Sequence, residues 1–146
     1  LATRAREGHK LAAIIQERVD RLHELVKQVE PRIPFIVQEH QDRLAARLRD
    51  AVASLDEDRI RQETAMFAQR IDVAEELGRL ATHLDEVTRI LQSKGQAGKR
   101  LDFLMQELNR EANTLASKSV AHDVSAAAME MKVLIEQMRE QVQNIE

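Results

Sequence analysis

Asp72, Glu76, Arg79 and His83 recur at steps of four, three and four residues, so on a helix their side chains project from one side. Two carboxylates one turn apart, with an imidazole further along, have the makings of a site for an oxygen-preferring or borderline divalent metal, or for acid/base work. One helix cannot close such a site, because Glu76 and His83 stand about 10 Å apart along the axis at 1.5 Å per residue. The same four residues also read as a surface charge network with a satisfied histidine, and spacing alone favours that plainer reading. Glu75 and Glu86 flank the set.

A second constellation lies in Lys99 to Lys118, KRLDFLMQELNREANTLASK. Leu101, Leu104, Leu108, Ala112 and Leu115 form one apolar stripe at three- and four-residue steps. Asp102, Gln106, Asn109 and Asn113 make a second stripe, and Glu107, Glu111, Thr114 and Lys118 a third. Asn, Asp and Thr compete with the helical backbone for hydrogen bonds, so a face that was merely solvated would carry Glu, Lys, Arg and Gln instead.

The elements that position these residues are helices. Hydrophobic content of 43% and charged content of 32%, with only four Gly and two Pro in 146 residues, favour long amphipathic helices, and no strand pattern appears. A first helix is predicted from about Arg4 to Glu30, with Leu11, Ile15, Val19, Leu22, Val26 and Val29 inward; His9 and His23 read as solvated. Pro31 and Pro34 then bracket a turn, so the first two helices are expected to form an antiparallel hairpin. Ile36, Val37, Leu44, Leu48 and Val52 face inward on the second. Asp56 caps a long third helix running to about Ser93, through Phe67, Ile71, Leu77, Leu80, Leu84 and Val87. A loop at Lys94 to Gly98, with Gly95 as helix stop, leads into the Lys99 helix. The last helix carries a coiled-coil type seam at Val124, Ala128, Met131, Ile135, Met138, Val142 and Ile145. The expectation is an all-α chain: an elongated helical hairpin over 1–55, then a bundle of long helices over 56–146.

Other classes are excluded by composition. There is no Cys, hence no disulfide or thiolate chemistry, and no apolar run of membrane-spanning length. A net charge of −3 is not that of a protein that lives by neutralising phosphates, so any nucleic-acid contact is local, metal-assisted or shared with a part outside this chain. The chain begins at Leu1 without Met, which fits a fragment of a longer protein.

GKRLDFLMQELNREANTLASKS at Gly98 to Ser119, with EMKVLIEQMREQVQNIE at Glu130 to Glu146, resembles the C-terminal region of the YicC/YloC family of bacterial proteins. Asp56 to Leu84 is similar to the preceding helix of that family, with matching Asp72, Glu75, Glu76, Arg79, Leu80, His83 and Leu84; Thr82 stands where Ser is expected. Members carry a further domain ahead of this region. The resemblance implies a cytoplasmic endoribonuclease acting on single-stranded RNA, dependent on Mn²⁺ or Mg²⁺, homo-oligomeric and without a membrane partner. On that reading Asp72, Glu76, Glu107 and Glu111 hold the metal, and His83, Glu107, Arg110 and Glu111 serve catalysis. Arg79, Lys99, Arg100, Asn109, Asn113 and Lys118 contact RNA. The alternative is a helical assembly or RNA-clamp module, with catalysis in the domain that precedes it.

Overall fold

A computed structural model describes residues 2–93 and 97–144, with side chains from Arg6 onward. The chain is all-α. Among the described residues six α-helices follow in order: α1 Ala2–Val29, α2 Ile33–Ala51, α3 Glu57–Ile71, α4 Ala74–Gln92, α5 Gly98–Lys118 and α6 His122–Gln143. Four of them, α1, α4, α5 and α6, share one core: α5 packs on both α4 and α6, and α1 closes the bundle against α4 and α6. The apolar stripes read from sequence supply that core. Ile15, Val19 and Leu22 of α1, Leu80, Leu84 and Val87 of α4, Leu101, Leu108 and Leu115 of α5, and Ala128, Met131 and Met138 of α6 are all fully buried. Polar clasps tie the outer helices across the bundle. Arg21 donates from Nε and Nη2 to the two carboxylate oxygens of Glu130 at 2.6 and 2.9 Å, and Arg32 donates to Asp123 at 2.8 Å.

The predicted pairing of the first two helices needs correction. Pro31 and Pro34 do not reverse the chain. They sit at the opening positions of a 3₁₀ turn over Glu30–Arg32 and of α2, where a missing N–H costs nothing. Val29, Arg32 and Ile33 all keep right-handed helical dihedrals, so the chain runs from α1 into α2 without folding back. The reversal comes later, over Val52 to Asp56, and α2 packs along α3. Arg49 clasps Glu57 at 2.9 and 3.0 Å across that turn, and the Asp56 side chain caps α3 by accepting from the Arg59 N–H. The hairpin is therefore α2 with α3, and α1 belongs to the bundle. Val52, expected inward, ends α2 with 40% exposure.

The long third helix is also two helices. Asp72 (φ −76°, ψ 124°) and Val73 (φ −116°, ψ 15°) leave helical space, and the Asp72 carboxylate accepts from the Ala74 N–H at 3.0 Å to start α4. His23 is not merely solvated, since its Nε2 lies 3.2 Å from Asp85 on α4. The predicted helix stop at Gly95 and the seam residue Ile145 lie outside the described residues.

Candidate functional site

Helices α4 and α5 run antiparallel, and the charged edge of each faces the other. Three cross-helix pairs form a ladder. Glu86 meets Arg100 at 3.6 Å, Arg79 donates from Nε to Glu111 at 2.9 Å, and Lys118 donates to Glu76 at 3.0 Å. Partner numbers fall on α4 as they rise on α5, as an antiparallel register requires. The Glu76 to Glu86 edge of α4 thus faces the Arg100 to Lys118 edge of α5.

The carboxylates at the centre are deeply placed. Side chains of Glu76 and Glu111 keep only 5% and 8% exposure, beside the buried Leu77, Leu80, Leu108 and Ala112. A buried carboxylate must be neutralised or hydrogen-bonded. Arg79 does this for both, reaching Glu111 directly and Glu76 at 3.8 Å, while exposed Glu75 touches it at 3.7 Å. The Glu111 hydrogen bond, with the nearby carboxylates, raises the Arg79 pKa further above its already high value, so this cation is permanent. Arg79 and Lys118 are themselves about half and one-third exposed, so each is anchored on a buried acid and presents its other face to solvent. Among the described residues no buried side-chain nitrogen or oxygen lacks a hydrogen-bond partner.

Where α3 breaks into α4, Asp72, Glu75, Glu76, Gln69 and Lys118 line a cleft of about 300 Å³. Lys118 also approaches the Asp72 carbonyl at 3.4 Å. One turn back along α5, Glu107 is 20% exposed and lies 3.7 Å from Arg110, whose own side chain is largely in solvent. On α4, His83 falls between Arg79 and Glu86; on α5, Glu107 falls between Glu111 and Arg100. The ladder register therefore sets His83, which is half-buried, level with Glu107.

Other predicted residues stand away from the Glu76, Arg79, Glu111 and Lys118 centre of the ladder. At roughly 100° per residue, Asn109 and Asn113 stand about 160° around α5 from Glu111. Asn109 lines a groove of about 400 Å³ with Asp102, Gln106, Glu136 and Arg139 on the α6 side. Lys99 and Arg100 open α5, about 28 Å along the axis from Lys118. Arg100 there stacks over Phe103 at 5.4 Å from the ring centre. The six predicted RNA contacts thus occupy three places rather than one patch.

The predicted metal quartet is divided too. Among the described residues no three His, Asp or Glu side chains converge as an ion would need. Glu76 and Glu111 each already carry a cationic side chain at hydrogen-bond distance. Among the described residues the donor set does not make a divalent-metal cage. Sequence reasoning placed Arg79 and Lys118 on RNA and left unseen that they neutralise the buried acids. The available signal was charge order: Glu76, Arg79 and Glu86 are complementary to Lys118, Glu111 and Arg100 read backwards.

An all-α bundle whose adjacent helices share a ladder of acids and cations, two of the acids buried, is the class that fold and site define. The chain belongs to the family described as endoribonuclease YicC-like, C-terminal, which it matches over residues 29–146. It is 53% identical over 146 residues to a probable endoribonuclease YicC of Haemophilus influenzae, covering 100% of this chain and 51% of that protein. A probable endoribonuclease YicC of Clostridioides difficile is 35% identical, with 98% of this chain and 50% of that protein covered. The chain spans about half the length of these curated relatives. No described helix is long and apolar enough to cross a membrane.

Proposed function

We propose that this chain is the helical half of a cytoplasmic endoribonuclease that cuts phosphodiester bonds in single-stranded RNA and works as a homo-oligomer. The observation that carries the reading is the Glu76, Arg79, Glu111 and Lys118 ladder, two cations held on buried acids, with Lys118 lining a cleft and Arg79 half-exposed to solvent. The names of the relatives support the same reaction class.

Cleaving a phosphodiester requires charge neutralisation on the phosphate, a deprotonated nucleophile and a proton for the departing oxygen. Arg79 and Lys118 are pre-oriented for the first, because their carboxylate anchors restrict the side chains before substrate arrives. His83 and Glu107, level on facing helices, are the acid/base pair, and Arg110 holds Glu107. Mn²⁺ or Mg²⁺ dependence belongs to the same proposal. Asp72, Glu76, Glu107 and Glu111 do not converge among the described residues, and no step of the chemistry above depends on the ion. Lys99 and Arg100, with the Asn109 and Asn113 edge, guide more distant parts of the strand.

The test is cleavage of an end-labelled single strand by the full-length protein in Mn²⁺. Glu107→Gln is expected to lower the rate by about 10² or more, the ordinary size of an acid/base contribution. An unchanged rate would remove Glu107 from the chemistry. A second reading, a helical clamp whose catalytic groups lie elsewhere, is favoured by the full neutralisation of Glu76 and Glu111. Metal-dependent cleavage by this chain alone would exclude it.

A further inference from the structure

The bundle and the α2/α3 hairpin are joined by two chain segments, the 3₁₀ turn at Glu30–Arg32 and the break at Asp72 and Val73. Between them lies a groove of about 520 Å³, larger than the charged cleft and chemically different from it. Pro31, Pro34, Val37 and Ala74 give it an apolar floor, and Glu30, Gln38 and Asp72 give it a polar rim. An apolar floor with a few convergent polar groups is the usual composition of a small-ligand site, and the size is within the range of about 300–1,000 Å³ for such sites.

Two features specify an occupant. The groove borders the charged cleft: Asp72 lines both, and Lys118 reaches the Asp72 carbonyl at 3.4 Å. The rim is rich in acceptors. Glu30 and Asp72 are carboxylates, Asp72 uses one oxygen on the Ala74 N–H, and Gln38 adds an amide carbonyl oxygen while one of its N–H groups donates to Asp42 at 2.9 Å. A flat apolar ring with N–H donors on its edge, attached to a phosphate, complements both.

We infer that this groove seats a nucleobase bearing an exocyclic amino group, next to a phosphate held at Lys118. The inference rests on the single-stranded RNA reading above and gives it a base preference. The ring lies over Pro34 and Val37, and the amino group donates to the rim. Adenine, cytosine and guanine offer that group on their pairing edge; uracil offers one ring N–H between two carbonyls, which the carboxylates repel. Unstacked bases of single strands are read in this way, on exposed edges.

The experiment is fluorescence anisotropy of the full-length protein with labelled adenine, cytosine and uracil homo-oligomers in buffer with EDTA, where no turnover intervenes. Adenine and cytosine oligomers are expected to bind about tenfold tighter than uracil, the worth of roughly one charge-assisted hydrogen bond. Ala74→Leu fills the floor and Gln38→Leu removes a rim acceptor; both positions are exposed, and circular dichroism confirms that the variants fold. Each is expected to bring the preference down to about threefold or less. Equal affinity for the three oligomers, or a preference unchanged in both variants, would overturn the inference. Absence of RNA binding would overturn it together with the nuclease reading. Preferential binding without cleavage under Mn²⁺ would keep the groove and remove the nuclease, whereas cleavage without preference would do the reverse.

Discussion

Replacing Arg79 by Met tests whether the ladder neutralises buried charge. Glu111 keeps 8% exposure and has Arg79 as its sole ion-pair partner among the described residues, whereas Glu76 retains Lys118. Stranding one member of a buried pair costs about 3–5 kcal/mol. Water reaching the half-exposed Arg79 position discounts this for Glu111 to about 2 kcal/mol, or roughly 4–8 °C in Tm for a domain of this size. The double variant Arg79→Met with Glu111→Leu removes both charges and is expected to recover most of the stability. Thermal unfolding followed at 222 nm at neutral pH measures both. A shift below about 1 °C for Arg79→Met at neutral pH, or a double variant no more stable than the single, would refute the burial argument.

Leu108→Ala, at a fully buried point of α5, is expected to cost about 3 kcal/mol in urea unfolding through lost contacts and the cavity it leaves. Asp72→Ala removes the acceptor that starts α4 and is expected to cost about 1 kcal/mol, with Asp72→Asn close to wild type in the same titration. Arg21 holds the Glu130 carboxyl below its ordinary value of 4.5, chiefly by hydrogen bonding. A depressed folded pKa adds stability above the unfolded value that is lost as pH falls through the folded one, so Tm is expected to drop below pH 4.5, and less steeply in Arg21→Met.

The helices were legible because their apolar residues keep a strict three-and-four rhythm. All five stripe residues predicted on α5 are buried, and the α6 seam is buried as far as Val142. The connections were less legible. Pro31 and Pro34 advertise a turn, yet proline is equally at home in the first turn of a helix, and only packing decides between the two. The break at Asp72 and Val73 contains neither Gly nor Pro; its signal is a single Asp whose side chain competes for a backbone N–H. For the site, helical spacing put Glu107 and Glu111 on one edge of α5 and the amides on another. It could not say that the amide edge turns toward α6, because that depends on which neighbour flanks each side of the apolar stripe.

The Arg21 to Glu130 clasp joins residues 109 apart in sequence, and the α2/α3 hairpin is closed by an Arg49 to Glu57 pair only eight apart. Short loops close at small entropic cost and long ones wait. During synthesis α2 and α3 can therefore associate early, while α1, delivered before them, has no complete partner surface until α6 leaves the ribosome. That helix is among the last of the six to be settled, and until then its Ile15, Val19 and Leu22 stripe is the surface most in need of shielding from other chains.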